Sequence, residues 1–364
     1  MRKLSLLGAL TCMSLLMGAT GARADAGVPA KYRPMVQKGL KWLVDRQNKR
    51  TGHWEAEGQG YPITMTALGG MALLCEGSTV REGKYSKNIK MARDFLMSKA
   101  QTNGMLGNPQ IPGEAGRYMY GHGFALMFLS CVYGEEKDVD QRRKLEDILV
   151  RAAKFTRDAQ TSRGGWGYVS ARDGGNFDEG SVTITQVQSL RAARNAGIKV
   201  PQDAIKDAQK YLQDSTGPDG GVVYSLAHGA GGGGRPALTA AAISCGFSAG
   251  DYNSPLIKKW FQFCERQVPL LRGARFGHDE YTHYYYAQAL YMLGDDGYAK
   301  LFPGSKEADR LSWKKYREAT FDFLKQTQSG EGSWTGSHVG PTFATAVYLT
   351  ILQLDNAALP IYQR

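Results

Sequence analysis

Cysteine, proline and long apolar runs are all scarce in this sequence of 364 residues. Its five cysteines are too few at this length for a scaffold held together by disulfide bonds. Its 13 prolines and 42% hydrophobic residues exclude collagen-like and disordered chains. After Met17, no segment approaches the roughly 20 uninterrupted apolar residues that a membrane-spanning helix needs. These absences predict a soluble globular protein.

The one long apolar run lies at the N-terminus, over Leu4–Met17. Two basic residues precede the run, and the small residues Ala22 and Ala24 follow it, which is the layout of a secretory signal peptide. We therefore predict that residues 1–24 are a signal peptide. Cleavage after Ala24 would export the mature chain to the periplasm or the extracellular space, with no membrane span left in it.

The charge of the chain is strongly basic. Lysine and arginine outnumber aspartate and glutamate by 45 to 34, and the net charge is +11 at pH 7. The excess is spread over many predicted helices rather than gathered in one stripe, and an exported protein seldom meets nucleic acid. We predict no nucleic-acid partner; an anionic polysaccharide, a membrane surface and a diphosphate stay open as partners.

Internal repetition is the main pattern along the chain. Six segments share an apolar periodicity and a glycine-rich turn, with a period of about 52 to 60 residues. Each predicts an amphipathic helix, the turn, and a second helix that is apolar on nearly all sides; no strand-like alternation competes over a comparable length. The equivalent aromatic residues of the six first helices are Trp42, Phe95, Phe155, Tyr211, Phe263 and Phe323.

A helix that is apolar on all sides must be buried. The six second helices therefore predict an inner ring and the six amphipathic helices an outer ring, which is an all-α (α/α)6 toroid. A closed ring needs no capping repeats. We predict one domain over residues 25–364. Its repeats are expected at about 31–80, 85–135, 146–197, 202–250, 255–297 and 312–358.

Three repeats share a glutamine, a glycine and a tryptophan at fixed spacing. This pattern resembles the glutamine–tryptophan repeat of squalene and oxidosqualene cyclases. The chain resembles the terpenoid cyclase and protein prenyltransferase superfamily over essentially all of its predicted mature length. The resemblance implies an α/α toroid that takes an isoprenoid or other apolar ligand in a central cavity. The motifs are Gln47 with Gly52-His53-Trp54, Gln160 with Gly164-Gly165-Trp166, and Gln328 with Gly332-Ser333-Trp334.

The signatures of the best-known activities of that superfamily are missing. Squalene-hopene cyclases carry an aspartate cluster of pattern D-x-D-D-T-A, and here only Asp178 and Glu179 stand at that place. The zinc-binding D-x-C of protein prenyltransferases is absent. We therefore predict no metal and no cofactor.

Ionisable and aromatic residues concentrate where the turns enter the inner helices, whose N-termini converge on one mouth of the barrel. The helix dipoles favour anions there. We predict Asp178, Glu179, Asp279 and His283 as catalytic candidates, and N-capping is the structural alternative for both aspartates. The ligand-binding candidates are Tyr118, Tyr120, His122, Phe124, Arg235, Tyr281, Tyr284 and His338.

Three functions stay open. The first is an isoprenoid-binding protein or a terpenoid cyclase-like isomerase or transferase. The second is a polysaccharide lyase or hydrolase, in which acids face each other across the mouth and Tyr281 or His283 moves a proton. The third is a non-catalytic scaffold. The first requires an aromatic cavity lined by Phe124, Phe128, Tyr284, Tyr285, Phe343 and Tyr348.

Three of the four cysteines that follow the predicted signal peptide share one repeat position. Cys75, Cys131 and Cys245 fall at the same repeat position, near the ends of inner helices. Free buried thiols fit this position because close helix packing requires a small residue there. A disulfide between Cys75 and Cys131 stays open as the alternative in an oxidising compartment.

Overall fold

The computed structural model describes residues 27–111, 113–229, 232–270, 278–336 and 339–363, so the predicted signal peptide lies outside the described residues. Twelve α-helices carry the fold of this part of the chain, and it contains no β-strand. The helices are α1 (Arg33–Asp45), α2 (Pro62–Cys75), α3 (Ser86–Met97), α4 (Tyr118–Tyr133), α5 (Val139–Asp158), α6 (Gly180–Asn195), α7 (Gln202–Asp214), α8 (Pro236–Ala249), α9 (Pro255–Gln267), α10 (Asp279–Leu301), α11 (Trp313–Thr327) and α12 (Pro341–Leu352).

The even-numbered helices form a closed inner ring. Each packs against the next one along the chain, and α12 packs against α2. Every residue of α2 is buried, as expected of a helix with no polar face. The predicted all-α (α/α)6 toroid is confirmed.

The odd-numbered helices surround this ring and are amphipathic. Helix α7, for example, buries Ala204, Ala208, Tyr211 and Leu212, which share one face at helical spacing. The outer helices α1, α3, α5 and α7 each pack on the inner helix of the preceding repeat and on that of their own repeat, as α5 does with α4 and α6. The outer ring therefore ties successive inner helices together.

A glycine in five of the turns sets the distance between repeats. A Cβ atom on Gly164 would lie 2.2 Å from the carbonyl oxygen of Asp207 in α7, and one on Gly332 would lie 2.6 Å from that of Lys38 in α1. Only glycine combines a positive φ with so close an approach to backbone. The five are Gly52 (φ 82), Gly104 (φ 93), Gly164 (φ 90), Gly220 (φ 88) and Gly332 (φ 111).

The motif glutamines hydrogen-bond across the same contact. In each case the side-chain amide donates to the carbonyl of the motif glycine and to a carbonyl in the first turn of the next outer helix. The second bond joins Gln47 to Asn88 at 3.0 Å, Gln160 to Ala204 at 3.0 Å and Gln328 to Met35 at 2.9 Å. Because Met35 lies in α1, the last of these bonds closes the ring.

The motif tryptophans join the two rings within a repeat. The indole N–H of Trp54 donates to the carbonyl of Leu43 at 2.7 Å, and that of Trp334 donates to Leu324 at 2.8 Å. Trp166 makes the equivalent bond, and all three side chains are buried. Each indole therefore satisfies a carbonyl near the end of its outer helix while its rings fill the layer between the rings of helices.

The barrel axis is filled away from the N-termini of the inner helices. The amide of Gln188 in α6 donates to Gln288 in α10 at 2.8 Å, although α8 lies between these helices in the ring. The C-terminal turn Pro360–Tyr362 packs on α6, and the hydroxyls of Tyr362 and Tyr284 are 3.0 Å apart. The C-terminal residues therefore close this end of the barrel.

The four cysteines of the described residues, Cys75, Cys131, Cys245 and Cys264, are free thiols, and no disulfide joins Cys75 to Cys131 in this structure. Burial raises the pKa of Cys131 to about 12, so this thiol stays protonated near pH 7. Within the same residues, no helix combines the length and the apolarity needed to span a bilayer.

The packing of the turn glycines predicts a specific loss of stability. Gly164→Ala should lower the free energy of unfolding by at least about 2 kcal/mol more than Gly197→Ala. Gly197 is the matched control because its φ is also positive (88), but a Cβ atom there would meet no other atom within 4 Å. Gly197→Ala should therefore lower the free energy of unfolding by only roughly 1–2 kcal/mol, the cost of placing a residue other than glycine in left-handed backbone. Urea unfolding followed by circular dichroism measures both; equal losses would show that the contact with α7 is not needed.

Candidate functional site

The six inner helices run parallel because each follows an outer helix along the chain, and in five repeats the turn between the two contains a glycine with a positive φ. Their N-termini and the loops that precede them form one end of the barrel, which we call the mouth. Several side chains from α4, α6 and α10 meet there at Ser181, in the first turn of α6. The hydroxyl of Tyr120 in α4 contacts that of Ser181, and the hydroxyl of Tyr281 in α10 donates to the Ser181 carbonyl at 3.0 Å.

Glu179 is the buried acid of this cluster. As the N-cap of α6, its Oε2 atom accepts from the amides of Ser181 at 3.0 Å and Val182 at 3.1 Å, and from the Ser181 hydroxyl. Burial raises the pKa of Glu179, while these hydrogen bonds act in the opposite direction. The net shift is upward, so the carboxyl holds a proton to a higher pH than an exposed glutamate.

The surrounding tyrosines are neutral hydrogen-bonding groups. Burial raises the pKa of Tyr120 and of Tyr281 well above the ordinary tyrosine value. The ring of Tyr281 packs edge-on against Tyr285, with 4.9 Å between centroids. The site therefore offers hydroxyl groups fixed by packing, with one carboxyl among them.

An aromatic strip, formed by Tyr168, Phe177 and Tyr224, runs along the mouth beside this cluster. The three rings are partly exposed. Phe177 lies 5.8 Å from Tyr168 and 6.4 Å from Tyr224, and the two tyrosine hydroxyls contact each other. The guanidinium of Arg117 lies 4.8 Å over the Tyr168 ring and that of Arg235 lies 5.1 Å over the Tyr224 ring. An arginine thus covers each end of the strip.

Asp178 is fully buried beneath the loop that carries Tyr224. Its Oδ1 atom accepts from the amide of Leu226 at 2.8 Å and from the hydroxyl of Ser225 at 3.0 Å, and Arg163 lies 3.6 Å from Oδ2. The carboxylate therefore positions this loop.

The two predicted mouth histidines both face the outer ring. His122 accepts from the Leu106 amide at 3.0 Å through Nδ1, and its Nε2 lies 2.9 Å from the Thr156 hydroxyl of α5. Nδ1 of His283 lies 2.7 Å from the hydroxyl of Tyr316 in α11. Burial lowers the pKa of both imidazoles to about 3, so both are neutral near pH 7. The structure therefore does not bring His283 together with Asp178.

The position of His122 has a simple structural explanation. In other repeats a threonine occupies the equivalent position, and the threonine hydroxyl accepts a hydrogen bond from the backbone amide of the motif tryptophan. Thr66 bonds Trp54 in this way at 3.0 Å, and Thr183 bonds Trp166 at 3.0 Å. His122 makes the same bond with a ring nitrogen, which explains its complete burial.

Four other predicted site residues, Tyr118, Phe124, Asp279 and Tyr284, are buried near the inner helix N-termini or deeper in the barrel. Tyr118 donates to Asp173 and accepts from the Ser170 amide at 2.8 Å. Phe124 and Tyr284 are packed inside the barrel. Asp279, the first residue of α10, is buried. His338 lies outside the described residues.

Glu114 is a buried acid that the sequence did not single out. It lies in the loop before α4, and its Oε1 atom accepts from the Ile63 amide at 2.8 Å, in the first turn of α2. Burial raises its pKa to about 7. Helix α2 begins with a proline and has no side-chain cap of its own, which is the one sequence signal that a cap must come from elsewhere.

In the part of the chain that the structure describes, no group of three or more histidine, cysteine, aspartate or glutamate side chains is placed to hold a metal ion.

No protein-family model and no curated protein sequence matches the chain. Solved structures do match it. The type II terpene cyclase MstE from Scytonema without ligand has a TM-score of 0.54 and 16% identity, over 90% of this chain and 99% of that chain. A variant of MstE bound to its substrate geranylgeranyl dihydroxybenzoate has a TM-score of 0.54 and 15% identity, over 90% and 97%.

A second enzyme shares the fold. An inactive variant of the α-1,6-mannanase GH76A from Salegentibacter, bound to α-1,6-mannotriose, has a TM-score of 0.61 and 9% identity, over 89% of this chain and 99% of that chain. At such identities the likeness shows the fold alone. The resemblance to terpenoid cyclases is therefore confirmed as a shared α/α toroid.

Glu114 predicts a pH dependence of stability. The folded protein holds its proton up to about pH 7, whereas the unfolded chain releases it near 4.5. Between these values the folded state binds more protons, so the free energy of unfolding falls as pH rises. Glu114→Gln keeps an oxygen that accepts from the Ile63 amide but cannot titrate. Between pH 5 and pH 7, the free energy of unfolding of the parent should fall by on the order of 2–3 kcal/mol, and the variant should lack this fall. Urea unfolding at pH 5 and pH 7 tests this, and parallel behaviour of variant and parent would contradict it.

Proposed function

We propose that the protein binds a polysaccharide at the mouth and cleaves a glycosidic bond there, with Glu179 as the proton donor. The observation that carries this proposal is the position of Glu179, a buried carboxyl with a raised pKa, among fixed tyrosine and serine hydroxyls beside a partly exposed aromatic strip. A general acid must keep its proton to a higher pH than an exposed carboxyl does, and burial moves the pKa of Glu179 in that direction.

The packing of the barrel favours a ligand that stays at the mouth. A side chain that lines an open cavity keeps accessible surface, yet Phe128, Tyr284, Tyr285 and Tyr348 are at most 1% exposed, and Phe343 is 8% exposed. An isoprenoid inside the barrel would have to displace these rings. Isoprenoid conversion, the first function implied by the sequence resemblance, therefore needs a rearranged interior. A polysaccharide can bind on the aromatic strip, which is already partly exposed, and its cleavage needs only a local opening above the buried carboxyl of Glu179.

The chemistry of the mouth fits sugars. Aromatic rings present apolar faces on which sugar rings can pack, while their polar tips hydrogen-bond. Tyr168 and Tyr224 have this character, and Ser181, Tyr120 and Tyr281 supply hydroxyls nearby. A site of this kind combines apolar area with a few placed polar groups, as ligand sites generally do. The GH76A mannanase, whose inactive variant binds α-1,6-mannotriose, shows that this fold is compatible with an oligosaccharide ligand.

Cleavage would proceed by general acid catalysis. Glu179 gives its proton to the glycosidic oxygen as the bond from that oxygen to the anomeric carbon breaks, and water supplies the hydroxyl of the new reducing end. Most glycosidases use a second carboxylate. Glu280, buried in the first turn of α10 with Oε1 near Gly336, is our candidate for that role. Export through the predicted signal peptide would bring the enzyme to extracellular polysaccharide.

The test is release of reducing ends from a panel of neutral and acidic polysaccharides by the purified mature chain. Glu179→Gln should lower kcat at least about 100-fold on any substrate that is cleaved, because it removes the proton donor, and should change KM little. The glutamine keeps an oxygen for the amides of Ser181 and Val182, so the fold should be retained. Glu146→Gln, an equal change on the exposed side of α5, is the control.

Two results would contradict the proposed function. One is unchanged cleavage by Glu179→Gln. The other is the absence of binding and cleavage across the panel together with an isoprenoid lipid that co-purifies with the exported protein, which would favour the isoprenoid alternative.

A further inference from the structure

We propose that the aromatic strip and the two arginines at its ends form a subsite for a polysaccharide with carboxylates on its sugar rings, such as a chain of uronic acids. The inference rests on the proposed function and names the substrate class of its site. It begins from the arrangement Arg117, Tyr168, Tyr224 and Arg235, in which each guanidinium lies over one tyrosine ring and the two tyrosine hydroxyls contact each other.

This arrangement joins three repeats into one surface. Arg117 is the N-cap residue of α4, Tyr168 lies in the loop before α6, and Arg235 is the N-cap residue of α8. The contact between the Tyr168 and Tyr224 hydroxyls links the second of these loops to the third. Stacking on a ring restricts each arginine, so less side-chain entropy is lost when an anion binds. The two cations are thus held at separate places along one strip.

Neither arginine forms an ion pair with any described residue, although acids lie nearby in the same loops. Those acids are occupied with other groups. Asp173 accepts from the hydroxyl of Tyr118, Asp178 holds the loop at Leu226, and Asp219 accepts from the amides of Gly221 and Gly234. Both guanidinium groups are exposed and keep their donors for a ligand.

The shape of the strip selects among anions. A guanidinium binds a carboxylate through two parallel hydrogen bonds, and the aromatic faces between the arginines can take the apolar face of a sugar ring. A small free anion could use only one arginine and none of the rings. A polymer that carries a carboxylate on each sugar uses both arginines and the strip together, and the basic charge of the chain favours its approach.

The test measures the binding of oligogalacturonate and of the same oligomer with its carboxylates methyl-esterified, by titration calorimetry on the full mature chain. We expect the acid form to bind at least about tenfold more tightly, because charge-assisted hydrogen bonds are lost on esterification. The double variant Arg117→Gln/Arg235→Gln should lose at least about tenfold in affinity for the acid form and little for the ester.

The matched control removes the same charge elsewhere. Arg143 on the exposed face of α5 and Arg194 in the last turn of α6, at the end of that helix away from the mouth, are both exposed. Arg143→Gln/Arg194→Gln should leave the affinity for the acid oligomer within about twofold, since distant exposed charges are screened at physiological ionic strength. Circular dichroism should show both double variants folded, because all four side chains are on the surface.

Equal affinity for the acid and the ester, no binding of the acid oligomer, or equal losses in the two double variants would each overturn the inference. Its failure is distinguishable from that of the proposed function. Glu179-dependent cleavage of a neutral polysaccharide, with no preference for carboxylates, would contradict the proposed subsite and support the proposed function. Binding of the acid oligomer that depends on the two arginines, without any cleavage that depends on Glu179, would support the proposed subsite and contradict the proposed hydrolase function.

Discussion

The contact on which the rest of the structure depends joins the turn of a repeat to the next outer helix, and it is seen at five turns of the described residues. Glycine brings the turn backbone against the helix backbone, and in three repeats a glutamine bridges the two. In two repeats without the glutamine, an arginine of the next outer helix donates a hydrogen bond to a carbonyl of the turn instead. Arg151 of α5 donates to the Gln101 carbonyl at 2.6 Å, and Arg266 of α9 donates to the Asp219 carbonyl at 3.1 Å. The backbone approach is therefore the constraint, and the hydrogen bond that secures it varies.

That contact also determines where chemistry can occur. Because five repeats meet the next in the same way and the inner helices form a closed ring, the N-termini of these helices lie at one end of the barrel, where residues far apart in sequence become neighbours. Ser181 receives Tyr120 from one repeat and Tyr281 from another, about 60 and 100 positions away in the chain. Burial of so many polar groups costs free energy unless they are paired. The hydroxyls around Glu179 are paired and so meet that condition. Their hydrogen bonds hold the carboxyl in place.

The sequence alone predicts the repeats and the toroid because both depend on periodicity and on glycine, glutamine and tryptophan at fixed spacing. It predicts the mouth less well, because the type of a residue does not reveal the direction in which its side chain points. His122 is singled out as a histidine near a helix start, yet it takes the structural role that Thr183 has in another repeat. Glu114 and Arg117 escape notice for a related reason: their partners Ile63 and Tyr168 lie about 50 residues away, and only the closed ring brings them together.

A filled barrel places specificity in the loops. The bond between Gln188 and Gln288 crosses the axis, and Tyr362 closes the far end, so the inner helices offer little free surface to a ligand. The aromatic strip and its two arginines lie in or at the ends of the loops before α4, α6 and α8, whereas Tyr120 and Tyr281 reach the mouth from the first turns of α4 and α10. Those loops are held by Asp178, by the paired tyrosines and by the turn contacts. Changes in those loops would alter the ligand without disturbing the contacts between repeats. Such a separation between the contacts that hold the ring and the loops at its mouth is one way in which a single fold can accommodate different ligands.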